Sequence, residues 1–285
     1  MATCQYGAAR LTLRQGLLAG IRAHAYIAPM SNPEEPRKER IAKIMARAGL
    51  CSRREAERWI AEHRVSVDGE VLTTPAFLVT PASRITVDGV GIPRNEPVRM
   101  WRVNKPLGLL TTHKDPQGRP TLFEQLPKNM PRVISIGRLD INSEGLLLLT
   151  NDGETARKLE LPSTGWTRRY RVRVHGRVNE ARLAALAEGI EIEGIRYAGI
   201  RAALDRTQGA NAWLTMALVE GKNREIRKVM EHLGLAVNRL IRVAYGPFQL
   251  GALGPGQVDE VPQKTLAEQL GFKKAGPGAH SRRKK

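Results

Sequence analysis

The sequence predicts an α+β protein built from two folded parts of unequal size. Three observations predict it. Helical and strand-like stretches are interspersed along the 285 residues without the regular alternation that a doubly wound parallel sheet needs. Many gaps between strand-like stretches are of hairpin length. A Pro-containing stretch, PRNEPVR, separates a short region that begins with helices from a longer, strand-rich one.

Residues 1–36 are expected to be a disordered extension. They carry no acid through residue 33 and end in the turn-rich SNPEEP. Arg10, Arg14 and Arg22 among Ala and Leu fit either a targeting segment or a stretch upstream of a start at Met30. The second is the reading we prefer.

Residues 37–95 read as a small domain. In RKERIAKIMARAGL, Ile41, Ile44, Met45 and Ala48 share one helical face, with Arg40, Lys43 and Arg47 on the other. Gly49 stops that helix. Ser52 offers an N-cap with Glu55 three residues on, a capping-box spacing, and a second helix follows with Ala56, Trp59 and Ile60 on its apolar face. VSVDGEVL and SRITVDGVGI alternate apolar and polar residues around Asp-Gly, the pattern of tight hairpins. Arg53 and Arg54 stand at a helix start, where the dipole disfavours cations, so their placement hints at phosphate contacts.

Residues 96–270 read as the larger domain, and 271–285 as a basic, disordered tail. Strands are expected at MWRVNKP, RVISIG, GLLLLTND, RRYRVRVHG, NAWLTMALVEG and RLIRVAYGPFQL. Helices are expected at GETARKLEL, NEARLAALAEG, NREIRKVMEHLG and QKTLAEQLG, giving a mixed, mostly antiparallel sheet.

The formal charge is +18. Three arginines before residue 34 and six basic residues from Lys273 onward supply half of it, and the segment between them supplies the rest with 37 basic and 28 acidic residues. A basic folded body with basic ends suits a polyanion, and nucleic acid is the default one. No apolar run approaches the roughly 20 residues of a membrane span. Two cysteines make no disulfide framework, which fits a reducing compartment, and no metal-ligand spacing occurs. A cytoplasmic protein without a metal is expected.

GRLDINSEGLLLLTNDG, residues 137–153, raises the question of chemistry. As a calcium loop it fits Asp140, Asn142, Glu144 and Gly145, then fails at Asn151, where a bidentate Glu is needed. As a structural turn it explains the glycines and the leucines, but not Arg138 and Asp140 beside a buried strand. As an active site it places Asp140 at the edge of a rigid strand, where a nucleophile should be held. Such a carboxylate needs a cation to stay ionised. GKNREIRKVMEHLG, residues 221–234, offers Arg224, Arg227 and Lys228, and spacing does not choose among them.

GRLDINSEGLLLLTNDG, with NKPLGLLTT before it and EGKNREIRKVMEHLG after it, resembles the RsuA/RluB/RluE/RluF family of RNA pseudouridine synthases. Residues 37–95 resemble the alpha-L (S4-like) RNA-binding domain that begins many members. RRYRVRVHGRV and VNRLIRVAYGPFQLGALGPG point to the large-subunit type within the family. The resemblance spans about residues 37–262 and implies a pseudouridine synthase fold, a uridine flipped out of ribosomal RNA, expected to be 23S, and no cofactor. It maps the reacting carboxylate to Asp140, the stacking tyrosine to Tyr170 and the basic partner of the Asp to Arg227. Arg138 is expected to fill the space the base leaves. Lys105 and Pro106 match a motif that looks structural, and Glu144 receives no chemistry. Ser143 stands where many members have Thr, and Gly165-Trp166-Thr167 departs from the family before the Tyr strand. Arg40, Lys43, Arg53 and Arg54 are the expected RNA contacts of the first domain. A monomer is expected. The competing expectations are a non-catalytic RNA-binding or assembly factor and a synthase acting on 16S RNA.

Overall fold

The computed structural model describes residues 38–93 and 96–271. The expectations for residues 1–36 and for the tail beyond 271 lie outside the described residues.

The first region is built from short elements. β1 (Glu39–Arg40) leads into α1 (Ile41–Arg47), and α2 (Arg53–Ala61) follows. Ser52 caps α2, its Oγ accepting from Glu55 N at 3.1 Å. The reciprocal half of a capping box is not made, because the Glu55 carboxylate accepts from Arg58 instead. Then come β2 (Val65–Val67), β3 (Glu70–Val71), β4 (Leu78–Val79), β5 (Ile85–Val87) and β6 (Val90–Gly91). The Asp-Gly turns at 68–69 and 88–89 have φ of 53° and 95°, then 50° and 80°. Both residues of each pair are left-handed, the twist a two-residue hairpin requires. Ile41, Met45, Ala56, Ile60, Val65, Val79 and Ile85 close the core. Trp59 is only half-buried, with the Arg64 guanidinium 5.0 Å above its ring.

The second region is one large sheet with helices on both faces. Its elements are β7 (Met100–Lys105), β8 (Ile134–Ile136), β9 (Glu144–Thr150), α3 (Gly153–Glu160), β10 (Arg168–His175), α4 (Glu180–Ala185), β11 (Ile190–Ile192) and β12 (Ile195–Tyr197). β13 (Arg201–Gln208), β14 (Asn211–Leu218), α5 (Glu225–His232), β15 (Ala236–Tyr245), β16 (Phe248–Gln249), β17 (Val258–Glu260) and α6 (Gln263–Leu270) complete it. The strand order is β13-β14-β10-β15-β9-β7-β17, with β16 on β15 and β8 on β9. One neighbouring pair, β15 and β9, is parallel, and the others are antiparallel. The predicted mixed, mostly antiparallel sheet is present. β11, β12, β13 and β17 went unpredicted.

The leucine run explains the layering. Leu146 to Leu149 are fully buried. Leu147 and Leu149 face the core under α4 and α5, with Val172, Leu214, Ile226 and Met230. Leu146 and Leu148 face the opposite core under α3 and α6, with Met100, Leu159 and Leu266. A strand covered on both faces reads as a continuous apolar run, not an alternating one. Burial of each leucine contributes roughly 2 kcal/mol.

Candidate active site

The Asp140 loop joins β8 to β9, and each carbonyl from Leu139 to Ser143 accepts a hydrogen bond. Thr111 Oγ1 donates to Leu139 O at 2.9 Å. Gly108 N donates to Ile141 O and Ser143 N to Asp140 O, both at 3.0 Å. Arg227 Nη2 donates to Asn142 O at 2.6 Å. Lys105 Nζ donates to Ser143 O at 2.9 Å and to Pro106 O at 3.0 Å. Leu139 is buried in the core, so the aspartate that follows it cannot wander. The Asp140 side chain itself remains 35% exposed, open to a ligand.

A cavity of about 940 Å³ lies over this loop. Asp140, Arg138, Tyr170, Arg224, Arg168, Arg242 and Tyr245 line it. Tyr170 sits on β10 directly opposite Arg242 of β15. Cross-strand partners present their side chains on the same side of the sheet. Arg168 donates to the Tyr245 hydroxyl at 3.0 Å, and that hydroxyl donates to Leu159 O at 2.9 Å. Arg242 is buried, with Nε donating to Leu146 O at 2.7 Å. The cavity therefore combines Asp140 held in place, the Tyr170 and Tyr245 rings and several guanidinium groups.

The cation nearest Asp140 is Arg224. Its Nη1 lies 3.7 Å from Asp140 Oδ2. This corrects the expectation that Arg227 pairs with the aspartate. Arg227 makes no ion pair with it and spends its fork on backbone, with Nη1 donating to Val237 O at 3.1 Å and Nη2 to Asn142 O. Burial lowers the Arg227 pKa, the neighbouring Arg224 charge adds to that, and Asp140 opposes it.

Lys105 is fully buried beneath the loop. Burial pulls its pKa down to about 8, against the charges of Asp140 and Glu144. Glu144 turns away from Asp140 and holds Arg239 by two bonds, at 2.8 and 2.9 Å. The acids of the loop thus do not converge, and no cluster of metal-ligand side chains forms among the described residues.

Residues 99–232 match the RNA pseudouridylate synthase family model, and residues 39–85 match the S4 domain. A Rickettsia felis protein named as an uncharacterized RNA pseudouridine synthase is 48% identical over 228 residues, covering 80% of this chain and 99% of that protein. The chain belongs to the RNA pseudouridine synthase family. The ribosomal large subunit pseudouridine synthase B of Pseudomonas aeruginosa is 42% identical, across 85% of this chain and 65% of that protein. The synthase of the same name from Salmonella typhi is 44% identical, across 74% of this chain and 75% of that protein. A crystal structure of a pseudouridylate synthase shares the fold, with a TM-score of 0.56 and 24% identity over 80% of this chain and 97% of that one.

One expected RNA contact of the first domain needs correction. Lys43 is not free for RNA. Its Nζ donates to Glu39 at 2.5 Å and to Glu154 in the first turn of α3. Arg47 joins the same cluster, and its hydrogen bonds push Glu39 down to about 2. Arg40, Arg53 and Arg54 are exposed, as expected of RNA contacts. Arg53 lines a second cavity of about 670 Å³ with Arg132 and Arg157, and that cavity shares Ser135 and Glu160 with the first. Trp166, in the departure from the family, packs edge-on against Tyr245 and Phe248 and lies half-buried against the core. Cys51 is buried, and burial pushes its thiol up to about 11.

The sequence reading missed Arg168, Arg242 and Tyr245. The available signal was Arg242 itself, a charge at an inward position of the apolar strand RLIRVAY.

Proposed function

We propose that this synthase converts uridine to pseudouridine at a defined position of the large-subunit (23S) ribosomal RNA, with Asp140 as its nucleophile. The observation that carries the reading is Asp140 on its fastened loop, sharing one cavity with Tyr170. The large-subunit assignment is supported by the names of the Pseudomonas and Salmonella relatives.

The geometry supports the following chemistry. A paired uridine is out of reach, so it flips into the cavity at a cost of a few kcal/mol. Stacking on the Tyr170 ring returns on the order of 1–3 kcal/mol. Arg138, exposed at the cavity rim, occupies the space the base vacates. The bond between ribose C1′ and uracil N1 breaks and its electron pair leaves with the uracil. A carboxylate oxygen of Asp140 bonds to the electron-poor C1′ while the uracil turns, and that bond breaks again, its electron pair returning to the carboxylate, when the uracil rejoins. The bond between C1′ and C5 then forms, C5 gives up its proton and N1 takes one. Atoms and electrons balance without an oxidant or reductant. Arg224 neutralises the carboxylate at rest, and Arg227 keeps the loop in place by holding Asn142 O.

Pseudouridine mapping of ribosomal RNA from cells lacking the gene tests this. A large-subunit site should disappear and return with the wild-type gene but not with Asp140→Asn. Loss of a small-subunit site instead would move the assignment to 16S RNA, and loss of no site would refute it.

A further inference from the structure

The face of the large sheet that lies opposite the cavity is covered along only part of its width. α3 and α6 pack over β7, β8 and β9. Over β13, β14, β10 and the first part of β15 the same face carries exposed or half-buried side chains. β10 puts Tyr170, Val172 and Val174 into the core and leaves Arg169, Arg171 and Arg173 on the outer face. Strand alternation places these three about 7 Å apart.

The neighbouring strands extend the array into rows. Arg173 lies beside Arg239 on β15 and Trp213 on β14, with Arg206 of β13 beyond. Arg169 lies beside Ala217, with Arg201 beyond. The carboxylates near these six arginines are Asp205, which accepts from Thr215, and Glu144, which is taken by Arg239. Arg171 lies 4.8 Å over the Trp213 ring. Arg171, Arg173, Arg201 and Arg206 have no carboxylate partner among the described residues.

An ordinary solvated face intersperses both signs of charge. This one has a strong excess of one sign and uses arginine, whose planar fork matches phosphate oxygens. The Trp213 ring orders Arg171 in advance, so less freedom is lost on binding. Trp213 is also the aromatic on these rows, and Arg171 covers it, so the face offers no stacking platform for unpaired bases.

We propose that this bare arginine face is a second RNA-binding surface, one that seats the phosphates of a double-helical segment away from the target uridine. It rests on the reading that ribosomal RNA is the substrate. Tyr170 faces the other side of β10, so RNA bound here is not the strand entering the cavity. The synthase would thus hold its substrate at two places and favour a folded RNA over an isolated hairpin.

The test uses the full chain with Arg171→Glu/Arg173→Glu, beside a control of equal charge change, Arg182→Glu/Lys264→Glu. Binding to transcribed large-subunit RNA, and to large-subunit particles that contain ribosomal protein, is measured across a salt series. Single-turnover conversion is measured on a short hairpin carrying the mapped uridine. The face variant should bind the long RNA at least tenfold more weakly, with a salt slope flatter by about 2. Its hairpin turnover should stay at the wild-type level, and the control should change binding less than threefold. Equal losses in both double variants would reduce the effect to net charge and overturn the proposal. Unchanged binding by the face variant, or a loss confined to assembled particles that contain ribosomal protein, would also overturn it. Failure of the wild-type chain on the hairpin would instead count against the catalytic reading.

Discussion

Arg224 Nη1 stands 3.7 Å from Asp140 Oδ2, while Arg227, one turn along, is bonded to the carbonyls of Asn142 and Val237. Two arginines three residues apart thus do different work: one meets the carboxylate, the other holds the backbone beneath it. The two truncations should separate. Arg224→Ala removes a half-exposed ion pair worth at most about 1 kcal/mol. It should leave Tm nearly unchanged and lower kcat. Arg227→Ala deprives two carbonyls of their donor and should destabilise by roughly 1–3 kcal/mol. Thermal melts and single-turnover rates check this, and a larger melting loss in Arg224→Ala would reverse the assignment.

Asp140→Asn keeps the shape of the side chain and removes its charge. Turnover should fall by about 10⁶-fold, the scale seen when a nucleophile is removed. RNA affinity should remain within a few-fold of wild type in a filter-binding assay. Substantial residual turnover would take Asp140 out of the nucleophile role.

Lys105 gives a pH signature. Its pKa in the folded chain is about 8, below the ordinary lysine value of 10.5. Between those values the unfolded chain binds more protons than the folded one, so stability rises with pH. The penalty for burying the ammonium is fully present below pH 8 and is relieved as pH climbs toward 10.5. Wild type should therefore gain stability relative to Lys105→Met between pH 7.5 and about 9.5 in urea melts. A difference that does not change with pH would show that the ammonium is not desolvated.

Lys43 and Glu154 join α1 to the start of α3. A double-mutant cycle with Lys43→Ala and Glu154→Ala should give a coupling of roughly 0.5–1 kcal/mol. Both single variants should leave the RNA salt slope within error of wild type. A flattened slope for Lys43→Ala would return that lysine to the RNA contacts.

Arg53→Glu/Arg54→Glu should weaken RNA binding and flatten the salt slope by about 1–2, one phosphate contact per residue. An unchanged slope would leave these arginines as a solvated helix face.

The legible parts of the chain were those governed by local rules. Ser52 capped α2, the two Asp-Gly pairs made hairpins, and Leu146 to Leu149 formed the central strand. β13 escaped because RAALDRTQ is an edge strand with little apolar alternation and mostly exposed side chains. The choice of Asp140 as the candidate nucleophile came from its motif, and its expected partner came from the resemblance, which named Arg227 where spacing left Arg224, Arg227 and Lys228 open. Arg224 has a φ of +51° and stands outside the helical run of α5, so helical spacing does not describe where it points. Lys43 was misread although one partner, Glu39, stands four residues before it, and the other, Glu154, is 111 residues away and leaves no local trace.

Gly145 shows how late the site comes together during synthesis. A Cβ there would lie 2.3 Å from Arg242 O, so only glycine lets β9 and β15 meet in their parallel joint. The Asp140 loop leads into β9, yet Arg227 and Arg242, which hold the loop and the strand, come some ninety residues later. Until then the loop has only its earlier ties, to Lys105, Gly108 and Thr111, and β9 lacks its neighbour β15. The arrangement around Asp140 is therefore complete only once β15 has been translated and has docked on β9.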